Sequence, residues 1–254
     1  MNDKDPAQAD ERRVAIVSGG GSGIGRAICQ RLARDGLRVV VAHARSAAGA
    51  QQTLEGIVAA GGTACALQAD IRVEAEVQAL FAAARERYGR IDVVINNAGI
   101  GHMKSFRNID MADYDRLFAV NARGTFMMCR EAARCIGDGG RIVNISSGIT
   151  VANSEGMALY AGSKAALEAF AKVLARELAP RGITVNIVSP GMTDTPMLEG
   201  GDAQMLRKVG ASLAAMKRLG QPGDIADAVA ALVSNDGRWI TGQNIHVDGG
   251  TIIV

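Results

Sequence analysis

The chain has 254 residues, 48% of them hydrophobic, and 28 Lys and Arg against 26 Asp and Glu give a net charge of +2. That length and apolar content suit one large core, and the near balance of charge argues against nucleic acid or an acidic membrane surface as a partner. The four cysteines form no CxxC pair and the three histidines (43, 102 and 246) are scattered, so free thiols in a reducing cytoplasm and no metal are expected.

Residues 1–12 read as a polar tail without an apolar leader, and no later stretch is long and apolar enough to span a bilayer. A single folded domain is expected over 13–254. It opens on Val14–Val17, an apolar run typical of a strand buried on both faces. The run Gly19-Gly20-Gly21-Ser22-Gly23-Ile24-Gly25 follows at once and leads into a helix that ends at Asp35-Gly36. Arg38–Ala42 is the second strand, and Ser46 is placed to cap a helix that runs to Ala60 and stops at Gly61-Gly62. Thr63–Gln68 is the third strand, Val73–Tyr88 the third helix and Val93–Asn96 the fourth strand. One long helix is expected from Ala112 to Cys135. Then come a strand at Arg141–Ser146, a proline-free helix at Ala158–Ala179, a strand at Thr184–Ser189, a helix at Asp224–Ser234 and a last strand at Asn244–Val247. Strands alternating with helices of these lengths predict an α/β fold, a doubly wound parallel sheet with helices on both faces.

Two stretches of this pattern carry chemistry. A glycine-rich turn between the first strand and the first helix lets backbone N–H groups and the helix N-terminus approach a pyrophosphate, as in dinucleotide sites. An NAD site usually carries an acid after the second strand, but the residues from Arg38 through Ser46 include no carboxylate. His43 and Arg45 stand there instead and suit the 2′-phosphate of NADP, with NAD as the alternative. On the Ala158–Ala179 helix, Tyr160 and Lys164 are four residues apart and share a face. A nearby ammonium favours phenolate and would bring the tyrosine toward useful proton transfer. Ser147, just past the Arg141–Ser146 strand, stands at the same end of the sheet and can hydrogen-bond a substrate oxygen.

Ser18-Gly19-x-x-x-Gly23-x-Gly25, Asn96-Asn97-Ala98-Gly99, Val120-Asn121, Ser147, Tyr160-x-x-x-Lys164 and Pro190-Gly191 occur in the order and spacing of the short-chain dehydrogenase/reductases, which the chain resembles from about Arg13 onward. It is most similar to the group of β-ketoacyl-acyl-carrier-protein reductases and glucose dehydrogenases, including the ending Trp239-Ile240-Thr241-Gly242 and Val247-Asp248-Gly249-Gly250. The resemblance implies a Rossmann-type domain and a carbonyl–alcohol interconversion on a small molecule. In it Tyr160 is the general acid or base, Ser147 orients the oxygen, Lys164 lowers the tyrosine pKa and holds the nicotinamide ribose, and Asn121 anchors a water. It further implies cofactor contacts from Gly19, Gly21, Ser22, Gly23, Ile24 and Gly25, from His43, Arg45 and Ser46, and from Asp70 and Ile71 flanking adenine. Asn97, Ala98 and Gly99 would face the adenosine ribose, and Pro190, Gly191, Thr193 and Thr195 would bind the carboxamide.

Ser22 stands where many NADP-dependent members have Arg or Lys. Gly137–Gly140 lacks the basic residues of many carrier-protein reductases, and Arg181 is the candidate remnant of such a patch. A lid is expected over about 194–215, with Gly200-Gly201 as its hinge. Met103, Met157, Met192, Met197 and Met205 suit an apolar mouth, to which His102, Asn153 and Glu155 add polar groups. Reduction of an acyl-carrier-protein thioester and non-catalytic dinucleotide sensing remain as alternatives. The apolar ending and the doubly apolar helices around Ala112–Cys135 and Ala158–Ala179 predict a homotetramer.

Overall fold

The structure, a computed structural model, describes residues 12–199 and 202–253. The Gly200-Gly201 hinge, Val254 and the expected tail lie outside the described residues. Arg12, the last residue of that tail, is described, and its guanidinium donates to Thr63 Oγ1 at 3.2 Å.

Seven strands form one parallel sheet: β1 (Val14–Ser18), β2 (Arg38–His43), β3 (Thr63–Gln68), β4 (Val93–Asn96), β5 (Arg141–Ile145), β6 (Thr184–Pro190) and β7 (Asn244–Val247). Their spatial order is β3-β2-β1-β4-β5-β6-β7, with every pair parallel. The direction of winding reverses between β1 and β4, where Ala15 pairs with Val93 and the Val14 N–H donates to Asp92 Oδ2 at 2.8 Å.

The alternation of side chains along each buried strand feeds two cores. On one face Val14 and Ile16 pack with Val77, Leu80 and Phe81 of α3 (Glu74–Tyr88), with Met127 and Met128, and with Ala171 and Ala175. On the other, Ala15 and Val17 pack with Ile28 and Leu32 of α1 (Gly23–Arg34), with Ala50 and Ile57 of α2 (Ala47–Ala59), and with Ile225 and Val229.

The long helix expected from Ala112 to Cys135 is interrupted. α4 (Met111–Phe118) passes into a π-helical turn at Ala119–Gly124 before α5 (Thr125–Cys135) resumes. A short α6 (Ile149–Ala152) precedes α7 (Ala158–Leu178), and α8 (Ala203–Leu213) falls within the expected lid. α9 (Pro222–Val233) completes the second face. Among the described residues no helix is long and apolar enough to cross a membrane, and no three His, Cys, Asp or Glu side chains gather as a metal would need.

Candidate active site

Parallel strands deliver all their C-terminal ends to one rim of the sheet, and the sequence-predicted site residues lie along it. β1 runs into the glycine turn, where Gly19 adopts φ +67° and a Cβ on Gly25 would overlap the Gly19 carbonyl oxygen. Neither position accepts an ordinary side chain. The first turn of α1 contains no acidic residue, and its N-cap, Ser22, makes no side-chain cap. The N–H groups of this helix start are therefore free of side-chain partners, as an anion requires.

The turn is braced by Arg26, which sequence reasoning missed. Its guanidinium donates to the Gly21 carbonyl at 2.6 Å, to the Gly49 carbonyl at 3.3 Å and to Thr53 Oγ1 at 3.2 Å. The turn is thereby tied to the start of α2. Ser46 gives its carbonyl, not its hydroxyl, to the start of α2, accepting from Ala50 N at 2.9 Å. Arg45 and Ser46 are exposed beyond β2, while His43 is half-buried. Asp70 is engaged by Arg72 through a 2.6 Å contact, which holds its carboxyl below the ordinary range with help from Arg45.

Two expected contacts are corrected by where the side chains point. Ile71 is buried and packs against Gly124, so any adenine contact it makes is through its backbone. The Asn97 amide donates to the carbonyls of Ser18 (3.0 Å) and Gly19 (3.2 Å), while its N–H and that of Ala98 donate to Ser18 Oγ at 3.1 Å. The Asn97 side chain thus locks the end of β4 to the glycine turn, so any ribose contact it makes is through its backbone. Its amide lies in the plane between two strand ends, where unpaired carbonyls are the nearest acceptors.

β5 and α7 build the reacting corner. Ser147 stands beside the Tyr160 phenol, close enough to favour its ionised form. Lys164 is 4% exposed; its Nζ lies 5.9 Å from the centre of the Tyr160 ring and donates to the Ile145 carbonyl at 2.8 Å. Gly99 closes over it, since a Cβ there would stand 3.2 Å from Nζ and 3.3 Å from Asn121 Oδ1. The expected lowering of the tyrosine by the lysine is not the balance found. Burial pushes the Tyr160 phenol above its ordinary value and the neighbouring Ser147 only partly offsets this. Burial likewise brings Lys164 down to about 8, opposed by the charge of Glu168. With the lysine directed at a carbonyl, desolvation outweighs its attraction for phenolate.

Asn121 is fully buried in the π turn. Its Oδ1 accepts from Ile100 N and its Nδ2 donates to Ile100 O, both at 2.9 Å, with Ser163 Oγ at 3.1 Å. The side chain is spent on the loop after β4.

Pro190 ends β6, and the next N–H, of Gly191, donates to the Val247 carbonyl. The Thr193 hydroxyl is turned inward to the Gly191 carbonyl at 3.0 Å. Thr195 reaches back across the rim, its Cβ 3.3 Å from where a Cβ on Gly23 would lie. Met197 lies over Gly101 and Met103 over Gly156, while Met192 packs beneath α8 against Gly210. His102 pairs with Asp113 at 3.3 Å, and the Asn153 amide turns back to the Val151 carbonyl. Arg181 donates to the carbonyls of Ala133 and Ile136 and to Asp138, so it closes the end of α5 and is not a free docking cation.

A doubly wound sheet with an uncapped glycine turn at its switch point and a buried Tyr–Lys pair beside it defines a dinucleotide-dependent oxidoreductase. Comparison with known proteins agrees. The family described as enoyl-(acyl carrier protein) reductase matches residues 19–251. An uncharacterized oxidoreductase of Methylorubrum extorquens is 43% identical over 248 residues, covering 94% of this chain and 98% of the relative. A short-chain dehydrogenase of Burkholderia cenocepacia, solved in complex with NADP, is 41% identical with a TM-score of 0.88, covering 94% of this chain and 97% of that one. The angucycline C-6 ketoreductase LanV, solved with bound NADP, is 38% identical with a TM-score of 0.88, covering 94% and 95%. The chain belongs to the short-chain dehydrogenase/reductase family.

Proposed function

We propose that this protein is an NADP(H)-dependent reductase of small-molecule ketones or aldehydes, able to run in reverse on secondary alcohols. The observation that carries the reading is that Ser147 and Tyr160 stand together beside buried Lys164, at the rim shared with the glycine turn. The bound dinucleotide supplies the hydride. Gly19, Gly21, Ser22, Gly23, Ile24 and Gly25 with the start of α1 would hold its pyrophosphate, and His43, Arg45 and Ser46 its 2′-phosphate, since Arg38 through Ser46 carries no carboxylate. NADP-bound relatives of like fold support that choice.

Ser147 donates to the substrate oxygen, and Tyr160 delivers the proton as negative charge develops there. A phenol held above its ordinary value stays protonated through the neutral range, which suits the reducing direction. Lys164 would hold the ribose hydroxyls of the nicotinamide, and Asn121 would anchor a water that links Lys164 to solvent so that Tyr160 can be reprotonated. Residues 194–215 act as the lid, with Met103 and Met197 facing an apolar substrate. Four free cysteines suit a cytoplasmic setting. The exposed apolar surfaces of α5 and α7 and around Trp239 support a homotetramer.

The test is a panel of ketones, aldehydes and their alcohols with NADPH, NADH and the oxidised cofactors, followed by the absorbance of the reduced nicotinamide. NADPH-dependent reduction is expected, and Tyr160→Phe should lower turnover by ~10²–10⁴-fold with NADPH affinity little changed. Full activity in that variant would remove Tyr160 from the mechanism, and tight NADPH binding without turnover on any carbonyl would favour the sensing alternative.

A further inference from the structure

Glu168 lies one helical turn beyond Lys164 on α7, on the same face. Its half-buried carboxylate accepts from Ser146 Oγ at 2.6 Å and from Thr150 Oγ1 at 3.0 Å. These two residues bracket Ser147, the first immediately before it and the second in α6 just after. The Thr150 hydroxyl is shared with the Ser147 main-chain carbonyl at 3.1 Å, and the Ile149 N–H donates to Ser147 Oγ at 3.3 Å. Ser146 is buried, so its hydroxyl needs a partner, and a carboxylate gives the stronger, charge-assisted bond.

The same carboxylate is the charged group that acts on Lys164. The other elements packed on the ammonium present the Ile145 carbonyl from β5, the backbone of Gly99, and the amide of Asn121 from the π turn. Tyr160 is the remaining ionisable neighbour, 5.9 Å away by its ring centre.

We propose that Glu168 is a positioning residue for the reaction, a single carboxylate one helical turn from Lys164 that clamps the Ser147 segment through Ser146 and Thr150. It links the two partners of Tyr160 to one another, and so rests on the roles given above to Tyr160, Ser147 and Lys164. Removing its charge leaves desolvation unopposed, so the Lys164 midpoint moves acidward and less ammonium is present at neutral pH.

Glu168→Gln keeps an acceptor oxygen for both hydroxyls but removes the charge, whereas Glu168→Ala removes both. The Lys164 midpoint is read by NMR titration of cofactor-free protein carrying ¹³C-labelled lysine, its signal assigned by its loss in Lys164→Met. A move acidward by about half a pH unit or more is expected in both variants. Amide hydrogen exchange over 146–152 should be faster in the Ala variant than in the Gln variant, and the alkaline limb of kcat should follow the lysine. An unchanged midpoint in Glu168→Gln overturns the electrostatic link, and equal exchange in the two variants overturns the clamp. Neither readout needs a substrate, so both decide the proposal even if no carbonyl is reduced.

Discussion

Lys164 gives up its water on folding and receives one hydrogen bond, to the Ile145 carbonyl, in return. Burial lowers its pKa from 10.5 to about 8. Above pH 10.5 the folded and unfolded chains both carry a neutral amine and no cost arises. Between 10.5 and about 8 the unfolded chain binds a proton the folded protein lacks, so stability falls as pH drops. Below that window the full cost remains, on the order of 3 kcal/mol before the lost hydrogen bond is counted. Lys164→Met should therefore stabilise the cofactor-free protein at pH 7 by about 1–3 kcal/mol, with the gain disappearing as pH rises through that window. Urea denaturation of both proteins at pH 7 and near pH 10.5 measures the difference. A less stable variant at pH 7 would show that the Ile145 and Glu168 contacts outweigh desolvation. The same variant should lose NADPH affinity, since the ribose hydroxyls lose their cation.

The break in the long helix shows what an element can hide. Ala119–Gly124 winds as a π turn, which sets Asn121 against both backbone groups of Ile100. Asn121→Ala strands that N–H and C=O, and should cost about 2–4 kcal/mol at ordinary values for unsatisfied buried groups. Chemical denaturation checks this, and a loss below 0.5 kcal/mol would mean water takes over the pairing. Nothing in the residues Ala-Val-Asn-Ala-Arg-Gly distinguishes an i+5 ladder from an i+4 one, so a single helix is all their pattern predicts. The seven strands, in contrast, are legible to within a residue at either end. The inner ones are buried on both faces and read as near-continuous apolar runs, while β3 and β7 at the edges are only partly buried and are set off by flanking polar or glycine residues. Tyr160 and Lys164 at helical spacing show only that the two share a face, and the reading of the corner as a site comes from the family's motifs in order along the chain. The directions of Ile71 and Asn97 are not legible, since chain position does not say whether a side chain turns to the core, a strand end or a ligand. Glu168 stands at the spacing that singles out Lys164, yet charges so spaced are the ordinary content of an amphipathic helix, and only its hydroxyl partners mark it.

At the scale of the whole molecule, the two faces of the sheet are covered, but some of the covering is itself apolar outward. Phe126 of α5 and Phe170 of α7 form an edge-to-face pair while both remain exposed, with Val173 beside them, and Trp239 is 94% exposed. Surfaces of this kind suit two different two-fold contacts. Light scattering at micromolar concentration should give a tetrameric mass, and the double substitution Phe126→Glu with Phe170→Glu should reduce it to a dimer. A monomeric wild type would overturn the assembly. The strand order has a further result, for the birth of the protein on the ribosome. β1, β2 and β3 emerge before β4 exists, so β1, an interior strand of the finished sheet, spends part of synthesis as its edge. Asp92, which takes the Val14 N–H at 2.8 Å, stands immediately before the strand that closes that edge. A nascent chain halted before it offers an open row of backbone donors and acceptors to any neighbouring strand. Premature termination inside the first half should thus yield aggregates, where loss of a later surface loop yields only an inactive protein.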